Sequence, residues 1–328
     1  MDQDTKHKVK NATVYTPRYL FRMWNRNTDV DGGLLRHVPG CNDGTAIRPL
    51  FFRFHTDHQL RSRSAYEMTR EEFTTMVKAH TAGSFDIVTR FSSWTASLAF
   101  VLKFWRGKGN KYHSRFHPDN ISDLVLKDSL YISALDTALL PDDQEVFWVP
   151  SLDFLAPGQL VDHDEYLVHG VVHGPGYKTL PLRVFLNAHR DCVRAAWEHS
   201  CAACDGSLLV NTPARTTTVT PITTQCIARA RAVGEAYGGT FALPMTLATI
   251  ALHQRELNYF DDGVPEEVMQ LVLRGVDGLE VPAGWSDEPT IVSNVLSENN
   301  REAAEFCSLM RAVLNRRGSG GSGWTSVD

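Results

Sequence analysis

An α+β domain followed by a helical region is the fold class this sequence predicts, and three observations carry it. Between residues 17 and 190, short apolar runs bounded by turn signals are mixed with one or two amphipathic helical stretches. The segment "NTPARTTTVTPITT" (211–224) is dense in Thr and Pro and reads as a linker. From 225 to 316 the apolar residues then recur with a helical period.

Taken in order, residues 1–16 are polar and predict a flexible arm. "PRYLFRMW" (17–24) is a strand opened by Pro17, with "DVDGG" (29–33) closing it. "RPLFFRFHT" (48–56) is a second apolar segment. "MTREEFTTMVKAHT" (68–81) predicts a helix: Thr69 and Glu72 have capping-box spacing, and Phe73, Met76 and Val77 share a face. "FDIVTRFSSW" is strand-like, and "TASLAFVLKFWRGKG" predicts a helix stopped by Gly107 and Gly109. "DLVLKDSLYISALDT" (123–137) holds a strand with alternating apolar positions, "EVFWVP" (145–150) is short and apolar, and "DEYLVHGVVHG" (164–174) is again strand-like. A connecting segment spans 191–224. Four helical stretches follow, beginning at "CIARARAVGEAYGG" and ending at "NREAAEFCSLMRAVLNRR". The Gly/Ser-rich tail 317–328 is expected to be disordered.

The 328 residues are 43% hydrophobic, enough for a substantial core in one large domain or two ordinary ones. The net charge of −5 gives no global electrostatic case for nucleic acid. That leaves only a local patch, "KFWRGKGNKYHSRFH" (103–117), which reads first as a solvated helix end. No stretch approaches the ~20 apolar residues of a membrane span, and the polar N-terminus has no signal-like apolar region. A cytoplasmic protein with reduced cysteines is the expectation.

The chemistry-bearing residues are scattered. In "VDHDEYLVHGVVHG", His163, Glu165, His169 and His173 all fall on odd positions, so an uninterrupted strand would line them on one face. Positions two apart lie about 6.6 Å from one another, so at most His163 and Glu165 could share an ion, and no metal is expected. "CAAC" (201–204) supplies half a zinc site without the second pair. Cys41 and Cys307 have no base near them in sequence. There is no phosphate-cradling glycine motif.

Three residues stand out from this background. Arg22 sits inside an apolar strand, which is unusual for a cation unless it meets an anion. Ser93 belongs to a hydroxyl cluster, Ser92, Ser93, Thr95 and Ser97, embedded in apolar sequence. Glu165 opens an apolar strand. Together they form a candidate binding set for a negatively charged, ribose-bearing ligand.

The succession "PRYLFRMWNRNTDVDGG", "MTREEFTTMVKAHT…RFSSWTASLAFVLKF", "LYISALDTALLP" and "DEYLVHG" resembles fungal relatives of the heat-labile-enterotoxin-like mono-ADP-ribosyltransferases. The similarity spans roughly residues 17–175, and "AYGGTFALPMTLATIAL" resembles the C-terminal part of such fungal proteins. The resemblance implies a split β-sheet core over 17–190 and a helical C-terminal domain over 225–316. It also implies an Arg–Ser–Glu catalytic set. Arg22 matches the first-strand arginine, with Arg53 in "FFRFHT" as a rival. Ser93, in Ser93-Trp94-Thr95, matches the hydroxyl motif, and Glu165 matches the catalytic glutamate.

By this resemblance the substrate is NAD+, cleaved by a transferase or an NAD+ glycohydrolase. Glu165 would face the oxocarbenium-like ribose, and Arg22 and Ser93 would hold the dinucleotide. Thr95 would brace the strand end, and Phe91 and Trp94 would wall the cleft. Arginine-modifying members carry Glu or Gln two residues before the catalytic Glu, where this chain has His163. The acceptor is therefore open among a protein side chain, a nucleobase, a small molecule and water. The alternative is an inactive module of the same fold that binds a partner through its helical half.

Overall fold

The computed structural model describes residues 1–25, 46–49, 51–52, 63–82, 87–107, 130–141, 144–160, 165–188, 222–252, 265–285 and 301–319. It is an α+β protein of two compact units, Met1–Arg183 and Val184–Asp328. The first unit includes the N-terminal segment.

In chain order the first unit contains α1 (Gln3–Asn11), β1 (Tyr19–Asn25), β2 (Ala46–Ile47), α2 (Arg70–Thr81), β3 (Phe91–Trp94), α3 (Leu98–Gly107), β4 (Leu130–Asp136), β5 (Val146–Trp148), β6 (Tyr166–His169), β7 (Val172–His173) and β8 (Tyr177–Pro181). Two three-stranded antiparallel sheets, ordered β1-β4-β8 and β3-β6-β5, are accompanied by the short pair β2-β7. The two larger sheets meet at one point. Phe21 N–H donates to Thr95 O at 2.7 Å, and Thr95 N–H donates to Phe21 O at 3.0 Å.

The expected flexible arm is a helix. Its charges hide a narrow stripe: Thr5, Val9 and Ala12 are spaced i, i+4, i+7 and are buried. Val9 and Ala12 join the core formed by Phe73, Val77, Phe91, Phe147 and Leu167. Asp2 caps the helix by accepting from Thr5 N–H at 2.8 Å, and the amino group of Met1 donates to Met68 O at 2.6 Å.

Helix α2 forms as its sequence predicts. Thr69 Oγ1 accepts from Glu72 N–H at 3.0 Å, and Glu72 Oε2 accepts from Thr69 N–H at 2.7 Å. That second bond holds the Glu72 carboxyl below its ordinary pKa. Its contribution to stability is thus present above the usual carboxylate range and is lost as pH falls through the lowered value. Thr69→Ala should destabilise the first unit by about 1 kcal/mol, read as a lower urea midpoint with unchanged slope.

The strand 164–174 is not continuous. Gly170 takes φ 92°, a left-handed conformation that splits it into β6 and β7. His169 is consequently buried, with Nδ1 2.9 Å from Glu145 Oε2, while His173 is exposed. The expected single face of titratable side chains is absent. His163 lies outside the described residues, as do Arg53, the "CAAC" segment, Gly109, "DVDGG" and most of 103–117 and 211–224.

The second unit is helical where described: α4 (Thr224–Tyr237), α5 (Ala242–Ala251), α6 (Glu266–Gly275) and α7 (Arg301–Ser319). Residues 317–319 thus end a helix rather than begin a disordered tail. Every residue of α5 is buried, so it is the core helix of this unit. Its hydroxyls fold back onto the helix, Thr246 to Ala242 O and Thr249 to Met245 O, both at 2.7 Å.

Gly234 of α4 lets this core helix approach. A Cβ there would lie 2.1 Å from Thr246 Oγ1 and 2.2 Å from Ala242 O. Alanine would favour an isolated helix by ~1 kcal/mol, but the clash opposes it with a backbone oxygen that cannot rotate away. Gly234→Ala is therefore expected to destabilise by about 1–3 kcal/mol. A thermal melt settles the sign: a raised midpoint would mean that propensity wins and the packing is loose.

Candidate functional site

The site candidate lies where the two larger sheets meet. Along β1, alternation places Leu20, Arg22 and Trp24 on one face. Arg22 stands opposite Ser133 of β4, which stands opposite Thr179 of β8. Beneath the guanidinium is a polar ladder. Trp24 Nε1–H donates to Ser133 Oγ at 2.8 Å, Ser133 Oγ donates to Thr179 Oγ1 at 3.1 Å, and the Tyr177 hydroxyl lies 3.0 Å from Ser133 Oγ. Trp24 also stacks on Tyr131. These contacts explain how three hydroxyls are accommodated in an apolar sheet.

Arg22 is only 6% exposed. Its Nη1 donates to the carbonyl oxygen of Ser93, joining β1 to β3 next to the Phe21–Thr95 bridge. Burial pulls the guanidinium pKa down to about 10, while Tyr177 and Glu165 act in the opposite direction and favour its charged form. Glu165 thus sits within electrostatic range of Arg22. It is half-buried, immediately precedes β6, and is fixed by its own carbonyl, which accepts from Val149 N–H at 3.1 Å. Arg22 and Ser93, distant in sequence, are joined directly, and Glu165 lies within electrostatic reach of the same guanidinium.

Ser93 is held from two sides. Its carbonyl takes Arg22, and its hydroxyl meets His80 Nε2 at 2.8 Å. His80 Nδ1 in turn contacts Thr89 Oγ1 at 2.8 Å. His80 and Thr89 are buried and Ser93 half-buried, and the His80 ring packs edge-on against Phe91. His80 escaped the sequence reading, although a signal existed: it continues the buried stripe Phe73, Met76, Val77 on α2, and a histidine on an apolar face needs partners.

No family model, curated protein or solved structure matches the chain. The geometry must therefore speak for itself.

Two expected site residues move to other roles. Phe91 is 2% exposed and packs edge-on against Phe73 and Phe147, so it is core rather than a cleft wall. Trp94 is also 2% exposed, with its Nε1–H donating to Ser92 Oγ at 2.9 Å and its ring against Tyr177. The hydroxyl cluster does not turn towards a cleft as a group. Ser92 serves Trp94. Thr95 Oγ1 accepts from Ser97 N–H at 3.1 Å, and Ser97 Oγ accepts from Phe100 N–H at 2.8 Å to cap α3. Those three satisfy a strand-to-helix junction. Ser93 alone faces the junction with Arg22 and His80.

Among the described residues no three His, Cys, Asp or Glu side chains are grouped to hold a metal ion, and no helix is long and apolar enough to cross a membrane. The buried pair Glu145–His169 is instead tied to Ser64, whose hydroxyl donates to Glu145 Oε1. This pair belongs to the framework of β5 and β6.

Proposed function

We propose that the first unit cleaves the nicotinamide–ribose bond of NAD+, as an ADP-ribosyltransferase or NAD+ glycohydrolase built on a split-sheet core. One observation carries the reading: Arg22 of one sheet donates to Ser93 of the other, with Glu165 in the field of the same guanidinium. The two antiparallel sheets joined at Phe21–Thr95 are compatible with the split sheet that the resemblance implies.

In this reading the bond between C1′ and the pyridinium nitrogen breaks heterolytically. Its electron pair neutralises the ring nitrogen, so nicotinamide leaves uncharged and needs no general acid. Positive charge grows on the ribose, and the Glu165 carboxylate stabilises it. Arg22 orients the dinucleotide with its planar charged fork. His80 and Thr89 hold the Ser93 hydroxyl in one orientation. An acceptor, either water or a nucleophile of a protein, nucleobase or small molecule, adds at C1′ and releases a proton. His163 in place of the usual acidic or amide residue argues for an acceptor other than arginine.

The near-complete burial of Arg22 favours a second reading, an inactive binding module in which the guanidinium latches the sheets together. Incubation of the full chain with NAD+, alone and with cell lysate, separates the two. The enzymatic reading predicts time-dependent nicotinamide release. It is matched by free ADP-ribose if water is the acceptor, or by a mass increase on protein if a side chain is. No nicotinamide under any of these conditions leaves the binding module.

A further inference from the structure

Three residues before Ser93 lies a second buried cation that the proposed reaction does not use. Arg90 is 3% exposed. Its guanidinium carbon sits 4.0 Å from the centre of the Phe51 ring, and among the described residues Nη1 reaches only Arg63 O, at 3.4 Å. Its buried Nε makes no hydrogen bond, and no carboxylate lies within ion-pair distance, among the described residues. Besides Glu72, the side-chain charge acting on it is another cation, Arg63, itself engaged with Glu67 O at 2.5 Å and Glu72 Oε2 at 3.3 Å. Burial and Arg63 both disfavour the charged form of Arg90.

The backbone around it is nevertheless fixed. Gly170 N–H donates to Arg90 O at 3.1 Å, and Phe51 N–H donates to Thr89 O at 3.4 Å. A guanidinium is effectively always charged, and a desolvated one without a counter-ion is unfavourable. Stacking on an aromatic face offsets part of this and holds the plane. What the arrangement lacks is an anion with oxygens for the fork.

We propose that Arg90, braced on Phe51 with Arg63 beside it, anchors a phosphate-binding site distinct from the Arg22–Ser93–Glu165 junction. Phosphate suits the residues because its oxygens match the planar Nε–Nη edge in two parallel hydrogen bonds. Among the described residues Arg90 contacts none of Arg22, Ser93 and Glu165, so the proposal stands whether or not NAD+ is cleaved.

The test uses the full chain and calorimetric titration with inorganic phosphate and, separately, inorganic pyrophosphate. Wild type and Arg22→Met should bind, and Arg90→Met, which keeps the packing on Phe51 and loses the fork, should bind roughly tenfold more weakly or not at all. Tighter binding of pyrophosphate would point to the bridge of a dinucleotide, and equal binding to a single phosphate group. A second readout needs no folded Arg90→Met. In nitrogen-15-labelled wild type the Arg90 Nε–H resonance, assigned by its loss in Arg90→Lys, should shift on adding either anion. Three results would overturn the site: no anion binding by wild type, wild-type affinity in Arg90→Met, or loss of binding in Arg22→Met with an unmoved Arg90 resonance.

Discussion

Glu165→Gln is expected to lower kcat for nicotinamide release by about 10²–10³-fold while leaving KM for NAD+ nearly unchanged. The substitution keeps the shape of the side chain and removes its charge. A carboxylate contributes little to binding the ground state, whose ribose is neutral, and much to the transition state, where positive charge appears at C1′. The effect should therefore fall on kcat and kcat/KM alike. The fold should survive, because Gln keeps the size and shape of this half-buried side chain, and the backbone carbonyl that accepts from Val149 N–H is unchanged. Arg22 would keep its bond to Ser93 O. Steady-state release of nicotinamide by the two proteins checks this. Equal rates would remove Glu165 from the chemistry.

The largest stability effect is expected at Asp136. Its carboxylate is fully buried and receives four hydrogen bonds: Arg18 Nε and Nη2 at 3.0 Å each, the Tyr19 hydroxyl at 3.1 Å and Ala138 N–H at 3.1 Å. Burial and Asp136 together push the Tyr19 phenol well above its ordinary pKa, so it stays a donor throughout the physiological range. Asp136→Ala would take from Arg18, 7% exposed, the buried carboxylate that accepts from both its Nε and its Nη2. Breaking a buried pair this way costs about 3–5 kcal/mol, against a total stability of roughly 5–15 kcal/mol for a domain. Urea denaturation should show the first unit largely unfolded or with its midpoint sharply lowered. Arg18→Met/Asp136→Leu should recover much of the loss, since it removes both charges. A loss under about 1 kcal/mol in the single variant would mean that water reaches the pair.

Much of this fold can be read locally. The capping box of Thr69 and Glu72, the strand "YLFRMW" and the helix ending at Gly107 follow from patterns a few residues long. The N-terminal helix was obscured because its apolar stripe is only Thr5, Val9 and Ala12 among charges, and what orders it is the core it covers. The break at Gly170 could not be weighed against the alternation on either side of it, so four titratable residues looked coplanar.

The candidate site divides in the same way. Arg22 and Ser93 were conspicuous as polar groups in apolar strands. Their meeting depends on a bridge between Phe21 and Thr95, 74 positions apart, and no local pattern encodes that register. The hydroxyl cluster misled for a related reason: an unpartnered serine and a serine capping the next helix look alike until the helix is in place. The sequence marks His80 only by its place on the apolar face of α2, because its partners, Thr89 and Ser93, lie 9 and 13 positions further on.

The most direct measurement is a crystal structure of Glu165→Gln soaked with NAD+, which the slowed variant should hold uncleaved. The account predicts the nicotinamide ribose between position 165 and Ser93, with the Arg22 guanidinium on the dinucleotide. NAD+ bound away from these three residues, or no bound NAD+ at saturating concentration, would contradict it.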